Sequence, residues 1–286
     1  MNLIFKGKTY SIDDSLLAGA ISGLEAHLSE LQSGGGESIV AGLYETGSNY
    51  TVMKKSWQEL LDEDVVHVEN GAVYTNVDIS TGTNSSASAL AGDLMLPNDG
   101  SITKLGDFDT NTGTGNFAFS LCTQLTGIQI PNSVTSIGAM AFIYCISLTN
   151  VTLPDTIIAI EESAFNSSAL TNMIIPDGVT SIGSGAFQDC GSLRSVVIGA
   201  SVTTIGKRAF DSCASLESIT FKGSAKRVGD DGAFAHCPSL IRIIFEGTTE
   251  QWKACLLGQF WNADTGDYTV YCIDGTVAKD GTVTYN

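Results

Sequence analysis

Histidine and basic side chains are scarce in this sequence, and each scarcity argues against a class of function. With three histidines among 286 residues, a catalytic or metal site built from several histidines has little to draw on. Fourteen Lys and Arg residues stand against 31 Asp and Glu residues, which gives a net charge of −17. Because that charge repels nucleic-acid phosphates and anionic lipids, we do not expect nucleic acid as a partner.

Long apolar runs are also missing. No window approaches the ~18 uncharged apolar residues of a membrane span, so we expect no membrane insertion. The opening stretch "MNLIFKGKTYSIDD" lacks a basic region followed by an apolar one, so it does not read as a secretory signal. A role outside the cell would then need another route of release, or a signal removed earlier.

Motifs for catalysis or metal binding are lacking as well. "TGTGN" (112–116) lacks the lysine of a P-loop, and no cysteine pair has the CxxC spacing of a zinc site. His27 lies in a predicted helix, His67 in a predicted strand, and His236 stands beside Cys237, whose place in the repeat described next points its thiol inward. We therefore predict no enzymatic activity, no cofactor and no metal site.

What the sequence does contain is an internal repeat. Its phenylalanines follow one another at intervals of 23, 23, 22, 23 and 24 residues, at Phe119, Phe142, Phe165, Phe187, Phe210 and Phe234. Such a period predicts a solenoid. Each phenylalanine is followed by a leucine and an LxxIxI-like stretch, in which positions 1, 4 and 6 are apolar, with the leucines at 125, 148, 170, 193, 216 and 240.

One repeat predicts one coil of an α/β solenoid. The LxxIxI stretch favours a short strand with alternate side chains in the core. "SVTSIG" and its equivalents turn the chain back, and a helical turn places the Ala-Phe pair inside. Stacked coils then form a continuous parallel sheet along one face.

This pattern, IGxxAFxxCxxLxxIxIPxxVTx, resembles the BspA-like leucine-rich-repeat family over about residues 90–246. The resemblance implies a leucine-rich-repeat stack and a recognition protein without catalysis, since that family is known chiefly for adhesion and binding. Two departures stand out: Ser168 replaces a repeat cysteine in a coil that is one residue short, and "DFDTNTGTGN" predicts a loop insertion in the first coil.

The repeat cysteines are expected to be buried and reduced. They lie three residues after the phenylalanine, at Cys122, Cys145, Cys190, Cys213 and Cys237. Cysteine packs as a small hydrophobe, and Ser168 indicates that a small side chain suffices. Cys255 and Cys272 stand outside the repeat, and the sequence leaves open whether they form a disulfide.

The fifth position of each LxxIxI stretch faces away from the core and forms a candidate binding stripe: Gln129, Thr152, Ile174, Val197, Thr220 and Ile244. The alternative is that β-branched residues suit any exposed strand.

The N-terminal segment is predicted to be a separate module for anchoring and oligomerisation (1–33), joined by a glycine linker (34–37). "LIFKGKTYSI" favours a hairpin turning at Lys6-Gly7. The following helix has apolar residues at steps of 4, 3, 4 and 3, namely Leu17, Ile21, Leu24, Leu28 and Leu31. This spacing suits a short coiled coil, and packing on the hairpin of the same chain is the alternative.

Small α+β segments are expected to cap both ends of the solenoid. Residues 38–89 form the N-terminal cap, with a short helix at "SWQELLDED" and a hairpin turn at Asn70-Gly71. Residues 247–286 form the C-terminal cap, in which Trp252, Phe260 and Trp261 are expected to cover the last coil.

The N-terminal text "FKGKTYSIDDSLLAGAISGLEAHL" is also similar to N-terminal regions of phage and prophage structural proteins of gut bacteria. Together, the two resemblances favour a phage or prophage virion fibre or tail-associated attachment protein, and a bacterial cell-surface or secreted adhesin is the alternative. The expected partner is a protein or glycan on a host or bacterial surface. The chain is expected to act in a virion or extracellularly, as a homo-oligomer, with a trimer favoured.

Overall fold

A computed structural model describes residues 2–5, 8–11, 41–47, 50–78, 83–86, 88–106, 117–223, 227–228, 231–257 and 260–286. β1 (Asn2–Phe5) and β2 (Lys8–Ser11) form an antiparallel pair, which confirms the two strands of the predicted hairpin, whereas its predicted turn at Lys6-Gly7 lies outside the described residues. The predicted helix with Leu17, Ile21, Leu24, Leu28 and Leu31, the glycine linker and the loop insertion "DFDTNTGTGN" all lie outside the described residues.

The solenoid that the repeat predicts is confirmed, and each coil contributes one longer strand to one side. These strands are β9 (Gly92–Met95), β11 (Leu125–Gln129), β13 (Asn150–Thr152), β15 (Asn172–Ile175), β17 (Ser195–Ile198), β19 (Ser218–Phe221), β21 (Arg242–Phe245) and β23 (Thr269–Cys272). Except for β13 and β15, successive strands of this series pair in parallel, with residues in register as in Val197 opposite Thr220. Alternation sends positions 4 and 6 of the repeat into the core and positions 3 and 5 outward.

The expectation of one continuous sheet on this side is wrong. Backbone hydrogen bonds divide the strands into a five-stranded sheet ending at β13 and a seven-stranded sheet beginning at β15. The break falls beside the coil that is one residue shorter between Phe165 and Leu170. We attribute it to that missing residue, which shifts the path of the chain into β15.

The turn segments "SI" and "TI" form a second parallel sheet, which the sequence did not predict. Its two-residue strands are β10 (Lys104–Leu105), β12 (Ser136–Ile137), β14 (Ala159–Ile160), β16 (Ser181–Ile182), β18 (Thr204–Ile205), β20 (Arg227–Val228) and β22 (Leu256–Leu257). We call it the short-strand sheet. Two residues per coil are too few for an alternation of apolar and polar residues to be recognised in the sequence.

The segment around each phenylalanine is a tight turn, and the expected helical turn is absent from the described coils. In the five coils from Phe142 to Phe234, the residues two before and two after the phenylalanine have positive φ, as at Met140 (55°) and Tyr144 (57°) around Phe142. Their amides therefore point along the stack: Tyr144 N–H donates to the Asn166 carbonyl of the next coil at 2.9 Å. In an α-helix these donors would bond within their own coil.

The phenylalanines form the centre of the core, as predicted. All six rings are fully buried, and consecutive rings stack with centroid distances of 4.9 to 5.5 Å. The leucine of each LxxIxI stretch is also fully buried. Each ring thus packs against the coils before and after it, which makes neighbouring coils dependent on each other.

The N-terminal end of the stack has a short helix and several strands. The predicted helix is α1 (Trp57–Asp62), which begins with a capping box between Ser56 and Glu59. The strands are β3 (Gly42–Gly47), β4 (Tyr50–Ser56), β5 (His67–Glu69), β6 (Ala72–Tyr74), β7 (Val77–Asp78) and β8 (Thr83–Asn84). The predicted turn between β5 and β6 is confirmed, with positive φ at Asn70 and Gly71.

The C-terminal segment continues the coil geometry before it closes the stack. The helix α2 (Thr249–Lys253) places Trp252 against Phe221 and Phe245, and Trp261 lies edge-on to Phe234 at 6.3 Å. Strands β24 (Gly275–Ala278) and β25 (Val283–Tyr285) add antiparallel to β23. The expectation that Phe260 covers the last coil is wrong: it occupies a positive-φ turn position and is 66% exposed.

Candidate binding surface

Two outward rows of side chains cross the seven-stranded sheet. The first is the predicted stripe, in which Ile174, Val197, Thr220 and Ile244 are aligned in register. Ile174 is 66% exposed and Ile244 is 38% exposed, whereas Val197 and Thr220 are half-buried between their neighbours. These four residues therefore form one ridge on the surface.

The other two residues of the predicted stripe lie on a different sheet. Gln129 and Thr152 are exposed and in register with each other, on β11 and β13 of the five-stranded sheet. Because the hydrogen-bond ladder stops between β13 and β15, the structure does not bring all six residues onto one sheet. It gives two neighbouring surfaces of different composition.

The second outward row, which the sequence interpretation missed, is the third position of each LxxIxI stretch. On the seven-stranded sheet it comprises Asn172, Ser195, Ser218 and Arg242. Ser195 Oγ donates to Asn172 Oδ1 at 2.6 Å. The polar residues at this position were a visible signal, since position 3 alternates with the apolar position 4.

The C-terminal segment also extends the predicted stripe. Tyr271 on β23 is opposite Ile244, and the Arg242 guanidinium lies 5.4 Å from the centre of the Tyr271 ring. Tyr271 was assigned to the cap because the phenylalanine repeat ends before it. The alternation in "YTVYC" (268–272) is the signal that could have identified this strand.

Four of the five repeat cysteines, namely Cys145, Cys190, Cys213 and Cys237, and Ser168 are buried donors. Cys190 Sγ donates to the Phe165 carbonyl of the preceding coil at 3.1 Å, and Ser168 Oγ donates to the Phe142 carbonyl at 3.0 Å. Burial raises the pKa of Cys190 to about 12, so the reactive thiolate form is suppressed. Cys255 and Cys272 do not form a disulfide.

His236 and Cys237 do not form a nucleophile pair. His236 Nδ1 lies 2.7 Å from Oδ1 of Asp211 in the preceding coil, and Cys237 Sγ donates to the Phe210 carbonyl in the core. The hydrogen bond to Asp211, followed by its charge, raises the pKa of His236 above 6.5. The described residues include no group of three or more His, Cys, Asp or Glu side chains placed to hold a metal ion.

Within the described part of the chain, no helix has the length and apolar character to cross a membrane. The five residues proposed for oligomerisation lie outside this part, so their role stays a prediction.

Comparison with known proteins identifies the repeat. The model of the BspA type leucine rich repeat region matches residues 112–252 in six copies. No curated protein matches the sequence.

Three solved structures are similar. A leucine-rich-repeat protein from T. pallidum is 26% identical with a TM-score of 0.49, covering 63% of this chain and 81% of that one. One from Bacteroides ovatus is 18% identical with a TM-score of 0.33, covering 84% and 77%. A leucine-rich cell surface protein from Faecalibacterium prausnitzii is 24% identical with a TM-score of 0.31, covering 70% and 67%. Residues 112–252 of this chain are therefore a BspA-type leucine-rich-repeat region of six repeats.

Proposed function

We propose that this chain is a non-enzymatic recognition and attachment protein, which presents the outward face of its longer strands to a protein or glycan on a host or bacterial surface. The observation that supports this most directly is the paired outward rows of the seven-stranded sheet. They hold exposed apolar, hydroxyl and cationic side chains in register on a stack of buried phenylalanines. A rigid surface of mixed composition loses little conformational entropy on binding.

The charges of the chain bear on the class of partner. The net charge of −17 disfavours nucleic acid and anionic lipid, whereas Arg194, Glu217 and Arg242 give the seven-stranded sheet both signs. A protein or glycan surface fits such a face better than a phosphate backbone does.

In its finer form, the proposal makes this chain a virion fibre or tail-associated protein, with residues 1–33 as the anchoring and assembly module. The similarity of the N-terminal text to phage structural proteins supports this form. The alternative is a bacterial cell-surface or secreted adhesin, which the repeat region supports without the N-terminal similarity. Immunoblotting of purified virions and of cell-envelope fractions from the producing strain would separate the two.

The attachment function is tested by binding of the fluorescently labelled full chain to gut bacterial cells and to mucin-coated surfaces. Ile174→Lys should reduce binding severalfold, since it replaces an apolar side chain of the outward row that is 66% exposed with a charged one. Ile158→Lys is the matched control, because Ile158 is 54% exposed beside the short-strand sheet, away from the longer strands. Equal binding by both variants, or no binding by the unmodified chain, contradicts the proposal.

A further inference from the structure

The five-stranded sheet has a depression of about 390 Å³ on its outward face, over β9, β11 and β13. This volume falls within the ~300–1,000 Å³ typical of small-molecule sites. Its polar lining consists of Asp93, Gln129, Asn132, Asn150 and Thr152.

The depression exists because one outward position has no side chain. Asp93, Gly127 and Asn150 are aligned across the three strands, and Met95, Gln129 and Thr152 form the row beside them. Gly127 is therefore the gap in the middle of a two-row surface. The seven-stranded sheet has a side chain at each equivalent position, namely Asn172, Ser195, Ser218 and Arg242.

Asp93 leans over this gap and is held there. A Cβ atom on residue 127 would lie 2.7 Å from Asp93 Oδ1, which accepts a hydrogen bond from Thr126 Oγ1 at 2.6 Å. Among the described residues no partner is found for Asp93 Oδ2, so one carboxylate oxygen is available to a ligand. Asn150, on the far side of Gly127, presents an exposed amide.

The lining chemistry selects the class of ligand. The Asp93 carboxylate accepts hydrogen bonds. The side-chain amides and the Thr152 hydroxyl both donate and accept them. The site therefore suits a ligand with adjacent hydroxyl groups. Among the described residues that line the depression none is Lys or Arg, and Asp93 would repel an anion. An apolar ligand would leave these polar groups without partners.

We propose that this depression binds one or two units of a neutral saccharide, with Asp93 as the main acceptor. The inference deepens the proposed attachment function and rests on it, because it makes part of the recognised surface a glycan. The rest of the outward face of the longer strands would then contact the part of the recognised surface that surrounds this sugar.

The test is saturation-transfer difference NMR on the full chain with the methyl glycosides of glucose, galactose, mannose and N-acetylglucosamine. N-acetylneuraminic acid serves as an anionic comparison. At least one neutral glycoside should receive saturation from the unmodified protein, and the anionic sugar should receive less. A stronger signal for the anionic sugar, or none for any neutral glycoside, overturns the inference.

Two variants locate the site, and a third controls for the fold. Gly127→Thr fills the depression with a residue that suits strands, and Asp93→Asn keeps the shape while removing the charge. Each should raise the Kd about tenfold or more. Gly191→Thr makes the same change at an exposed turn glycine, where an added Cβ meets no atom within 4 Å, and should leave the Kd unchanged. Undiminished binding by Gly127→Thr overturns the inference.

The outcome is separable from that of the proposed function, because the same variants also enter the cell-binding assay. A chain that binds cells but no neutral glycoside is an attachment protein without this sugar site. A chain that binds a glycoside through Asp93 but attaches to no surface has the site, and the proposed attachment function is then wrong.

Discussion

The hydroxyl of Ser168 lies 3.0 Å from the carbonyl oxygen of Phe142, in the preceding coil. The thiols of Cys145, Cys190, Cys213 and Cys237 make the same contact with the phenylalanine carbonyl of their own preceding coil, at 3.0 to 3.3 Å. This position therefore requires a side chain that is small and also able to donate a hydrogen bond. Small size alone, the interpretation drawn from the sequence, is an incomplete description.

The first prediction follows from this contact. Ser168→Ala should lower the free energy of unfolding by about 0.5–1.5 kcal/mol, because the hydrogen bond is lost. Ser168→Cys should lower it less, since a thiol makes the same bond in four other coils. Chemical denaturation measures both, with Ser201→Ala at an exposed turn position as the control. No loss in Ser168→Ala would mean that the hydrogen bond contributes nothing, and an equal loss in both variants would mean that a thiol does not replace the hydroxyl as donor.

The second prediction concerns thiol reactivity. Burial raises the pKa of Cys122 and of Cys190 to about 12, and both thiols are fully buried. Labelling of the native protein by a thiol reagent should be slow at these cysteines and fast after unfolding. Peptide mapping should show Cys272, which is half-buried, reacting first. Rapid native labelling of Cys190 would contradict its place in the core.

These raised pKa values also have a consequence for stability at high pH. The unfolded chain ionises the thiols of Cys122 and Cys190 near their ordinary pKa of 9.0, whereas the folded chain keeps these two protonated. Above pH ~9 the unfolded state therefore binds fewer protons, and stability falls as pH rises.

The third prediction concerns the stack of phenylalanine rings. Phe187 lies between Phe165 at 5.2 Å and Phe210 at 4.9 Å. Phe187→Ala should cost about 3–5 kcal/mol of unfolding free energy, because it removes contacts on both sides and leaves a cavity. Phe260→Ala is the matched control, with a ring that is 66% exposed and an expected cost well below 1 kcal/mol. Similar losses of unfolding free energy in the two variants would contradict the stacking of Phe187 between its neighbours.

The phenylalanine period predicted the stack, the parallel longer strands and the inward or outward direction of their side chains. It could not predict the break between β13 and β15, because the register of hydrogen bonds depends on the path of a coil that is one residue short. Nor could it predict the depression: Gly127 is an ordinary glycine in sequence, and its role appears only when Asp93 and Asn150 are placed on either side of it.

The fourth prediction is a pH dependence at the C-terminal end of the stack. The hydrogen bond with Asp211 and the charge of Asp211 raise the pKa of His236 above 6.5. A raised pKa in the folded state adds stability that is fully present below the unfolded pKa and is lost as pH rises through the folded value. The effect should be small, because the His236 side chain is 57% exposed.

Unfolding measured on both sides of neutrality checks this dependence. The unmodified chain should lose more stability than His236→Gln as pH rises through the pKa of His236. An NMR titration of the His236 ring should give a midpoint above that of an unfolded reference peptide. A midpoint at or below the reference would show that the contact with Asp211 does not stabilise the charged ring.

The last prediction is that the full chain is a homo-oligomer, with a trimer favoured, held together through residues 1–33. The apolar spacing of Leu17, Ile21, Leu24, Leu28 and Leu31 suits a coiled coil, and the glycine linker follows it. Joining the helices would present several solenoids at once, so a weak contact at each longer-strand face would gain avidity without any new interaction.

Light scattering measures the mass directly. A trimer should have three times the chain mass of 30.0 kDa, and a truncated chain beginning at Glu37 should have the smaller mass of one truncated chain. Leu24→Glu in the full chain should also dissociate the oligomer, because it places a charge in the helix contact, whereas Ser29→Glu, off the apolar stripe, should not. If the full chain and the truncated chain are both monomeric, the helix packs within its own chain. The fibre form of the proposal then loses its main physical support. If both chains are oligomeric, the subunit contact lies on the solenoid or its caps. The outward rows of the seven-stranded sheet would then be candidates for a subunit interface instead of a ligand surface.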